Sequence, residues 1–391
     1  MRGNIFNPQG YLSGNHARLV HSGTDFFDTL VSIIDDATDV IHFHSYILDD
    51  DETGRRVIRA LKHAANRGVK VFLMLDAWGS RQLDDRFINS LKESGVYFRW
   101  FGKLVTSRGF HISRRMHHKI VVCDSRIALV GGLNIANRYN SLRHRHPWLD
   151  FAVHAEGNIA IALERICQKF WKRNPLKKRY NFVKKKIHLS EKNLPVLMRV
   201  RENDWVMRKL QVAASYKKVV AAAKEEIVIL SAYFLPGFRF LLRMRKAAAR
   251  GVKVKIVVPA HSDTALGVKA SHYIFSSMLR HKIEIYEYTR TMLHAKVCAV
   301  DNAWAAIGSY DLNNLSRYSN IEANVEILDT DFASRFQGEL NTIIKEHCRQ
   351  INPDSFQKKL TLLKRFDNWL AYQLLRFLFR LSLFLASKVE E

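Results

Sequence analysis

The chain has 391 residues, enough for two sizeable cores, and its hydrophobic share of 47% is that of an ordinary folded protein. Intrinsic disorder and a polytopic membrane protein are both excluded by that balance. With 62 Lys+Arg against 37 Asp+Glu the net charge is +25, which implies a polyanionic partner, either nucleic acid or an anionic membrane surface. Residues 1–8 carry no apolar run, so neither a secretory signal nor an N-terminal anchor is expected. Cysteines 123, 167, 298 and 348 have no pair spacing and read as core thiols of a reducing compartment.

Residues 18–22 read as a short strand. Thr24 is the expected cap of a helix over 24–37, in which Phe26, Phe27, Leu30, Val31, Ile33 and Ile34 follow helical spacing. A strand over 40–48 and an acidic turn at 49–54 lead to a helix carrying Val57, Ile58, Leu61 and Ala65. Arg67-Gly68 closes that helix, and 69–75 is an almost wholly apolar strand, as at the centre of a sheet covered on both faces. A helix over 84–94 and a strand over 96–101 continue the alternation of an α/β fold.

The second half repeats this order, with helix 212–223, strand 226–234, helix 238–249, helix 270–280 and strand 283–288. Arg250-Gly251-Val252-Lys253-Val254 reproduces Arg67-Gly68-Val69-Lys70-Val71 letter for letter, again between a helix and a strand. A repeat this long predicts two similar domains, 1–175 and 196–350. Between them, 176–195 is a basic linker whose lysines and arginine at 177–186 are either simply solvated or meet phosphates, with Tyr180 and Phe182 as shallow insertions. The remainder, 351–391, is expected to hold an amphipathic helix. Residues 369–385 are apolar except for Ser382 and a stripe of Gln373, Arg376 and Arg380, too short and too charged to span a bilayer. Such a helix either lies in the membrane interface or docks on the second domain.

The strongest signal is His117-x-Lys119, followed by Asp124 and by Gly131-Gly132. Read as a strand, residues 117, 119, 121 and 123 share one face, with Ile120 and Val122 on the other. His294-Ala295-Lys296, Asp301 and Gly308-Ser309 repeat the spacing. Lysine is a poor partner in a divalent metal site but suits an anionic oxygen. Two such pairs about a pseudo-two-fold axis would surround a phosphate: one imidazole attacks phosphorus, the other protonates the departing alkoxide, and the lysines stabilise the equatorial oxygens. This chemistry requires no metal and no cofactor. Asp124 and Asp301 are either turn formers or orient active-site groups. His111, His118, His144 and His146 read as surface or packing histidines, and Arg138, Tyr139 and Trp148 as the pocket border.

Two copies of His-x-Lys-x4-Asp-x6-Gly-Gly/Ser resemble the signature of the phospholipase D superfamily, over about residues 18–350. Arg115–Val122, Gly131-Gly132-Leu133-Asn134, Tyr233–Leu241 and Asn320–Val325 resemble bacterial cardiolipin synthases, most closely the short type without N-terminal transmembrane helices. The resemblance implies an α/β fold of two pseudo-symmetric phospholipase D-like domains. Each is a mixed β-sheet flanked by helices, and the active site lies at their interface. It implies that His117 and His294 are the nucleophile/acid pair, with His117 favoured as nucleophile but the order left open by pseudo-symmetry, that Lys119 and Lys296 bind phosphate, and that Asp124, Asp301, Asn134, Ser309 and Glu322 support them. The implied reaction passes a phosphatidyl group from one phosphatidylglycerol, through phosphohistidine, to another, releasing glycerol. Anionic phospholipid and membrane surface are the implied partners rather than nucleic acid, and the cytoplasmic face of the inner membrane the implied location.

Two positions depart from the pattern: Gly132 stands where many relatives have serine, and Asp311 where an amide is usual, an exchange met either by Asn313 as a compensating substrate-binding amide or by protonation of Asp311. Rival readings are a hydrolase or transphosphatidylase with another donor or alcohol, a nuclease of the same superfamily, and a non-catalytic scaffold.

Overall fold

The structure, a computed structural model, describes residues 8–102, 105–106, 109–110, 114–142, 146–172, 195–261 and 265–388. The expected basic linker, His111 and His144 lie outside the described residues. The first half contains β1 (Asn15–His21), α1 (Thr24–Asp35), β2 (Val40–Ser45), α2 (Glu52–Asn66), β3 (Lys70–Asp76), α3 (Asp85–Glu93) and β4 (Tyr97–Phe101). It continues with the two-residue strands β5 (Val105–Thr106), β6 (Gly109–Phe110) and β7 (Arg115–Met116), then β8 (Lys119–Cys123), β9 (Ile127–Gly131), β10 (Phe151–Gly157) and α4 (Asn158–Lys172).

The second half contains β11 (Leu197–Asp204), β12 (Lys209–Leu210), α5 (Gln211–Ala222), β13 (Glu226–Ser231), α6 (Phe238–Ala249), β14 (Lys253–Pro259), α7 (Ala265–Leu279) and β15 (Glu284–Tyr288). There follow β16 (Lys296–Val300), β17 (Trp304–Gly308), α8 (Asn314–Tyr318), β18 (Asn320–Leu328), α9 (Thr330–His347), β19 (Cys348–Gln350), α10 (Pro353–Lys359) and α11 (Leu362–Lys388).

The first sheet runs β1-β10-β9-β8-β2-β3-β4, and the second runs β12-β11-β18-β17-β16-β13-β14-β15-β19. From β1 and from β11 onwards the two orders superpose strand for strand. In each, a parallel trio (β2-β3-β4 or β13-β14-β15) joins an antiparallel meander through the strand that follows a histidine. The outer faces are covered by α1–α3 in one half and by α5–α7 in the other. The inner faces pack together with α4 and α9 in one continuous core, so the repeats are fused rather than tethered.

The duplicated Arg-Gly-Val-Lys-Val has a structural reason. Gly68 and Gly251 end their helices at φ +91° and +94°, the left-handed turn that glycine takes without strain. The arginine before each reaches back to the end of another helix: Arg67 donates to the carbonyls of Ile34, Asp35 and Ala37, and Arg250 to those of Val220 and Ala223. Helix α1 is capped by Gly23 rather than by the expected Thr24. Gly23 sits at φ +99° with Ser141 packed where a Cβ would be, so the backbone geometry of the turn decides the boundary.

Candidate functional site

Strands β8 and β16 occupy equivalent central places, and each histidine precedes its strand at the seam between the halves. The backbone N–H groups of His117 and His118 both donate to the Ile321 carbonyl (2.9 and 3.0 Å), and His294 N–H donates to that of Leu149 (2.8 Å). Each histidine is therefore anchored by the opposite half. The chain of His117 is not yet in the strand, but the expected alternation holds: Val121 and Cys123 face the outer core, Ile120 and Val122 the inner one.

Side-chain geometry repeats the exchange. His117 Nδ1 lies 3.0 Å from Glu322, and His294 Nδ1 lies 2.6 Å from Asp150. Glu322 was among the expected residues; Asp150 was not. The register makes them equivalent, because Gly131 pairs with Ala152 and Gly308 with Asn324, and the acids stand two residues before these partners. A carboxylate on Nδ1 fixes the tautomer and presents Nε2 to the cleft. Tyr46 packs edge-on against His117, with centroids 4.9 Å apart, and Tyr139 against His294 at 5.1 Å. Trp148 borders His294, and Arg138 stacks on both Tyr139 and Trp148, so these three form one cluster beside His294.

Both lysines are buried, and each ammonium donates to the carbonyl of its own histidine, Lys119 at 2.6 Å. Lys296 also lies 3.7 Å from Asp311. Burial pushes Lys119 down to about 7, with Glu322 opposing and Lys296 assisting. Burial likewise raises Asp150 to about 7 against the pull of Lys296. It holds His294 well below the ordinary imidazole range, assisted by Lys296 and Lys119. Burial would also raise Glu322, but His117, Lys119 and Ser309 outweigh it and keep that carboxyl low.

The supporting residues divide. Asn134 accepts from Ile47 N–H and donates to the Tyr139 hydroxyl (3.2 and 3.0 Å). Its counterpart Asp311 accepts from Tyr233 N–H and Ser231 (3.1 and 3.3 Å), so the exchange of amide for acid keeps the acceptor and places its charge beside Lys296. Asn313 does not supply the missing amide: it donates to the Tyr233 carbonyl and accepts from Ser316 N–H. Ser309 bonds the backbone of Ala323. At Gly132 a Cβ would lie 2.5 Å from both carboxylate oxygens of Asp150, so the glycine makes room for the acid.

Asp124 and Asp301 are not in the cleft. They lie at the far ends of β8 and β16, in turns where Asp124-Ser125 and Asp301-Asn302 all have φ near +55°. Asp124 accepts from the N–H groups of Thr38, Asp39 and Val40, all at 2.9 Å. Asp301 does the same for Lys224, Glu225 and Glu226 at 2.8–2.9 Å. Of the remaining histidines, His118 is buried against His44 Nδ1 at 3.0 Å, and burial drives it down to about 3, a packing residue as expected. Cysteines 123, 167 and 298 are buried free thiols and Cys348 is partly exposed.

Two imidazoles, each backed by a carboxylate and flanked by an ammonium, form a site suited to holding and transferring a phosphate diester. A family model described as "Cardiolipin synthase, PLD-like domain" matches residues 30–171 and 216–344. The chain is 34% identical over 356 residues to cardiolipin synthase B of Salmonella typhi, covering 90% of this chain and 85% of that protein. It is 33% identical over 363 residues to cardiolipin synthase B of Escherichia coli K12 (88% and 84%), and 28% identical over 364 residues to cardiolipin synthase A of Pseudomonas putida (89% and 72%). Among solved structures, the phosphatidylserine synthase of Haemophilus influenzae superposes with a TM-score of 0.69 at 14% identity, covering 93% of this chain and 96% of that one, which shows the common fold. The chain belongs to the cardiolipin synthase family of the phospholipase D superfamily.

Proposed function

We propose that the protein makes cardiolipin from two molecules of phosphatidylglycerol by two successive displacements at phosphorus. The observation that carries this reading is the meeting of two histidine–carboxylate pairs and two buried lysines at the seam between the halves, in a chain of the cardiolipin synthase family. Glu322 occupies Nδ1 of His117, which leaves Nε2 facing the cleft as a nucleophile requires. Asp150 and His294 lie 2.6 Å apart with Asp150 titrating near 7, so the pair can hold one proton and deliver it from His294 Nε2.

In the first step His117 Nε2 bonds to phosphorus, the P–O bond to glycerol breaks, and His294 protonates the departing oxygen. In the second, His294 takes the proton from a hydroxyl of another phosphatidylglycerol, whose oxygen displaces His117 and forms the second phosphodiester. Lys119 and Lys296 face the equatorial oxygens, and a bound phosphate restores the charge that burial takes from Lys119. We infer a peripheral station on the cytoplasmic face of the inner membrane. Among the described residues no helix is long and apolar enough to cross a membrane. Helix α11 docks on α7 through Lys269–Asp367 (2.8 Å) and Tyr273–Tyr372, yet exposes Phe366, Leu370, Leu374 and Phe377. The docked alternative is what these contacts describe, and we propose that the exposed apolar face meets the membrane.

The test is incubation with phosphatidylglycerol liposomes in EDTA, read by lipid mass spectrometry. Cardiolipin with equimolar glycerol is expected. Phosphatidic acid alone would make the protein a hydrolase, and no lipid turnover would redirect attention to nucleic acid or another donor.

A further inference from the structure

A second basic site has neither histidine in its wall. A cavity of about 480 Å³ opens between α5, α6, α8 and α11, with Lys217, Arg239, Arg317 and Arg376 in its wall. An adjoining hollow of about 380 Å³ shares Lys217 and Arg317 and adds Lys218 and Arg243. Among the described residues no carboxylate lines either one. Arg243 and Arg317 are only partly buried, so part of each guanidinium is open to solvent where they line the hollow. The cations also press on one another: burial first, then Arg317, Arg243 and Arg239, hold the Lys217 ammonium below its usual range.

Neither histidine and neither lysine of the reaction centre is in the cavity wall, although Asn313 is. Tyr310 and Leu312 line the cavity, whereas Asp311 between them bonds towards Lys296. Its rim is apolar and exposed: Phe238 is 67% accessible and Leu242 38%, each one residue before a cavity arginine on α6. Helix α11, which supplies Tyr372 and Arg376 to the wall, exposes Leu374, Phe377 and Leu378 beside them. Basic hollow and apolar rim together match a phosphate held at the head of acyl chains.

We propose that this cavity binds the headgroup phosphate of an anionic phospholipid while Phe238, Leu242 and α11 rest in the surrounding leaflet. The proposal does not depend on the reaction assigned to the histidines. The site would hold the protein on an anionic leaflet while the catalytic cleft is empty.

The test compares wild type with Arg243→Gln/Arg317→Gln, and with a charge-matched control, Arg59→Gln/Lys92→Gln, on exposed positions of α2 and α3. Co-sedimentation is measured at one ionic strength with phosphatidylcholine vesicles with and without phosphatidylglycerol. Thermal unfolding of each protein verifies the fold, and glycerol 3-phosphate is added as a soluble probe. Because sedimentation needs no turnover, a protein inactive towards phosphatidylglycerol still gives an answer. The cavity pair is expected to lose affinity for anionic vesicles by about tenfold to thirtyfold, with the control pair close to wild type. Equal losses from the two pairs would overturn the site in favour of diffuse attraction, as would wild-type binding by the cavity pair. Stabilisation of wild type alone by glycerol 3-phosphate, without a vesicle defect in the cavity pair, would assign the cavity to a soluble phosphate ester and overturn the membrane reading.

Discussion

The two histidines occupy equivalent places in two superposable sheets, yet their surroundings are built differently. In the His117 half-site the acid is Glu322, supported by Ser309, and it stays ionised. In the His294 half-site the acid is the shorter Asp150, held in space left by Gly132 and raised to about 7. The comparison teaches that duplication supplies symmetry of position, while the partners of each carboxyl supply asymmetry of proton affinity: His117, Lys119 and Ser309 hold Glu322 low, whereas burial prevails at Asp150. A double-displacement reaction needs that asymmetry, because one imidazole must begin without a proton on Nε2 and the other must have one to give.

Removing the imidazoles gives the largest effect. His117→Ala and His294→Ala are each expected to lower phosphatidyl transfer by about ten-thousandfold or more without unfolding the protein. The comparison adds a distinction between them. With a donor whose leaving group departs unprotonated, His294→Ala should still accumulate a phosphatidyl-enzyme, detectable by intact-protein mass spectrometry, and His117→Ala should not. The opposite pattern reverses the assignment, and a fully active single mutant removes the two-histidine mechanism.

The acids come next. Glu322→Gln and Asp150→Asn should each cost about a hundredfold to ten-thousandfold in kcat, by leaving the imidazole in the wrong tautomer. Only Asp150→Asn should change the pH profile. The proton donor must be charged with its proton, so kcat of wild type falls as pH rises through about 7, the value to which burial raises Asp150. Deprotonation of Lys119 near the same pH weakens phosphate binding by the free enzyme and therefore appears in kcat/KM. A kcat limb that persists in Asp150→Asn would break the assignment of the proton to this pair.

Gly132→Ser sharpens the steric side of the argument. A Cβ placed 2.5 Å from Asp150 must push the carboxylate off His294, for a loss of about tenfold to a hundredfold. The loss should vanish in an Asp150→Asn background, where there is little left to disturb.

The sequence carried much of this arrangement and hid one essential part. Periodicity located the parallel trios and the helices over them, most clearly at the central strands β3 and β14, which are buried on both faces and read as nearly continuous apolar runs. His117, Lys119, His294 and Lys296 stood out because they recur at one spacing. Asp150 stood out in neither way: it belongs to the first half, serves the second, and lies 19 residues after Gly131, where Glu322 lies 14 after Gly308. Its signal was the likeness of Leu149-Asp150-Phe151-Ala152-Val153 to Ile321-Glu322-Ala323-Asn324-Val325, an acid followed by strand residues in both. Helices α4 and α9 were also not read, and they are the two that lie inside the common core.

The repeated aspartates mark the same spacing but serve the fold, and this is the smallest expected effect on chemistry. Asp124 caps three backbone N–H groups at the start of β2, and Asp301 three at the start of β13. Burial would raise Asp124, but these bonds prevail and hold its carboxyl below the ordinary carboxylate range. The sign follows: a depressed carboxyl contributes stability that is present above its unfolded value and is lost as pH falls through the folded one, below about pH 4. Asp124→Ala should therefore lower unfolding free energy by about 1–3 kcal/mol at neutral pH, with the difference from wild type shrinking in acid. Asp301 makes the same three backbone bonds without the one Asp124 takes from the Thr38 hydroxyl, so Asp301→Ala should lose a similar or slightly smaller amount at neutral pH. Denaturant melts across pH measure this, and kcat per folded molecule should stay within about twofold, since a strand's length separates each carboxyl from its histidine. A large fall in kcat with unchanged stability would return these aspartates to the active site and break the division between the two ends of the strand.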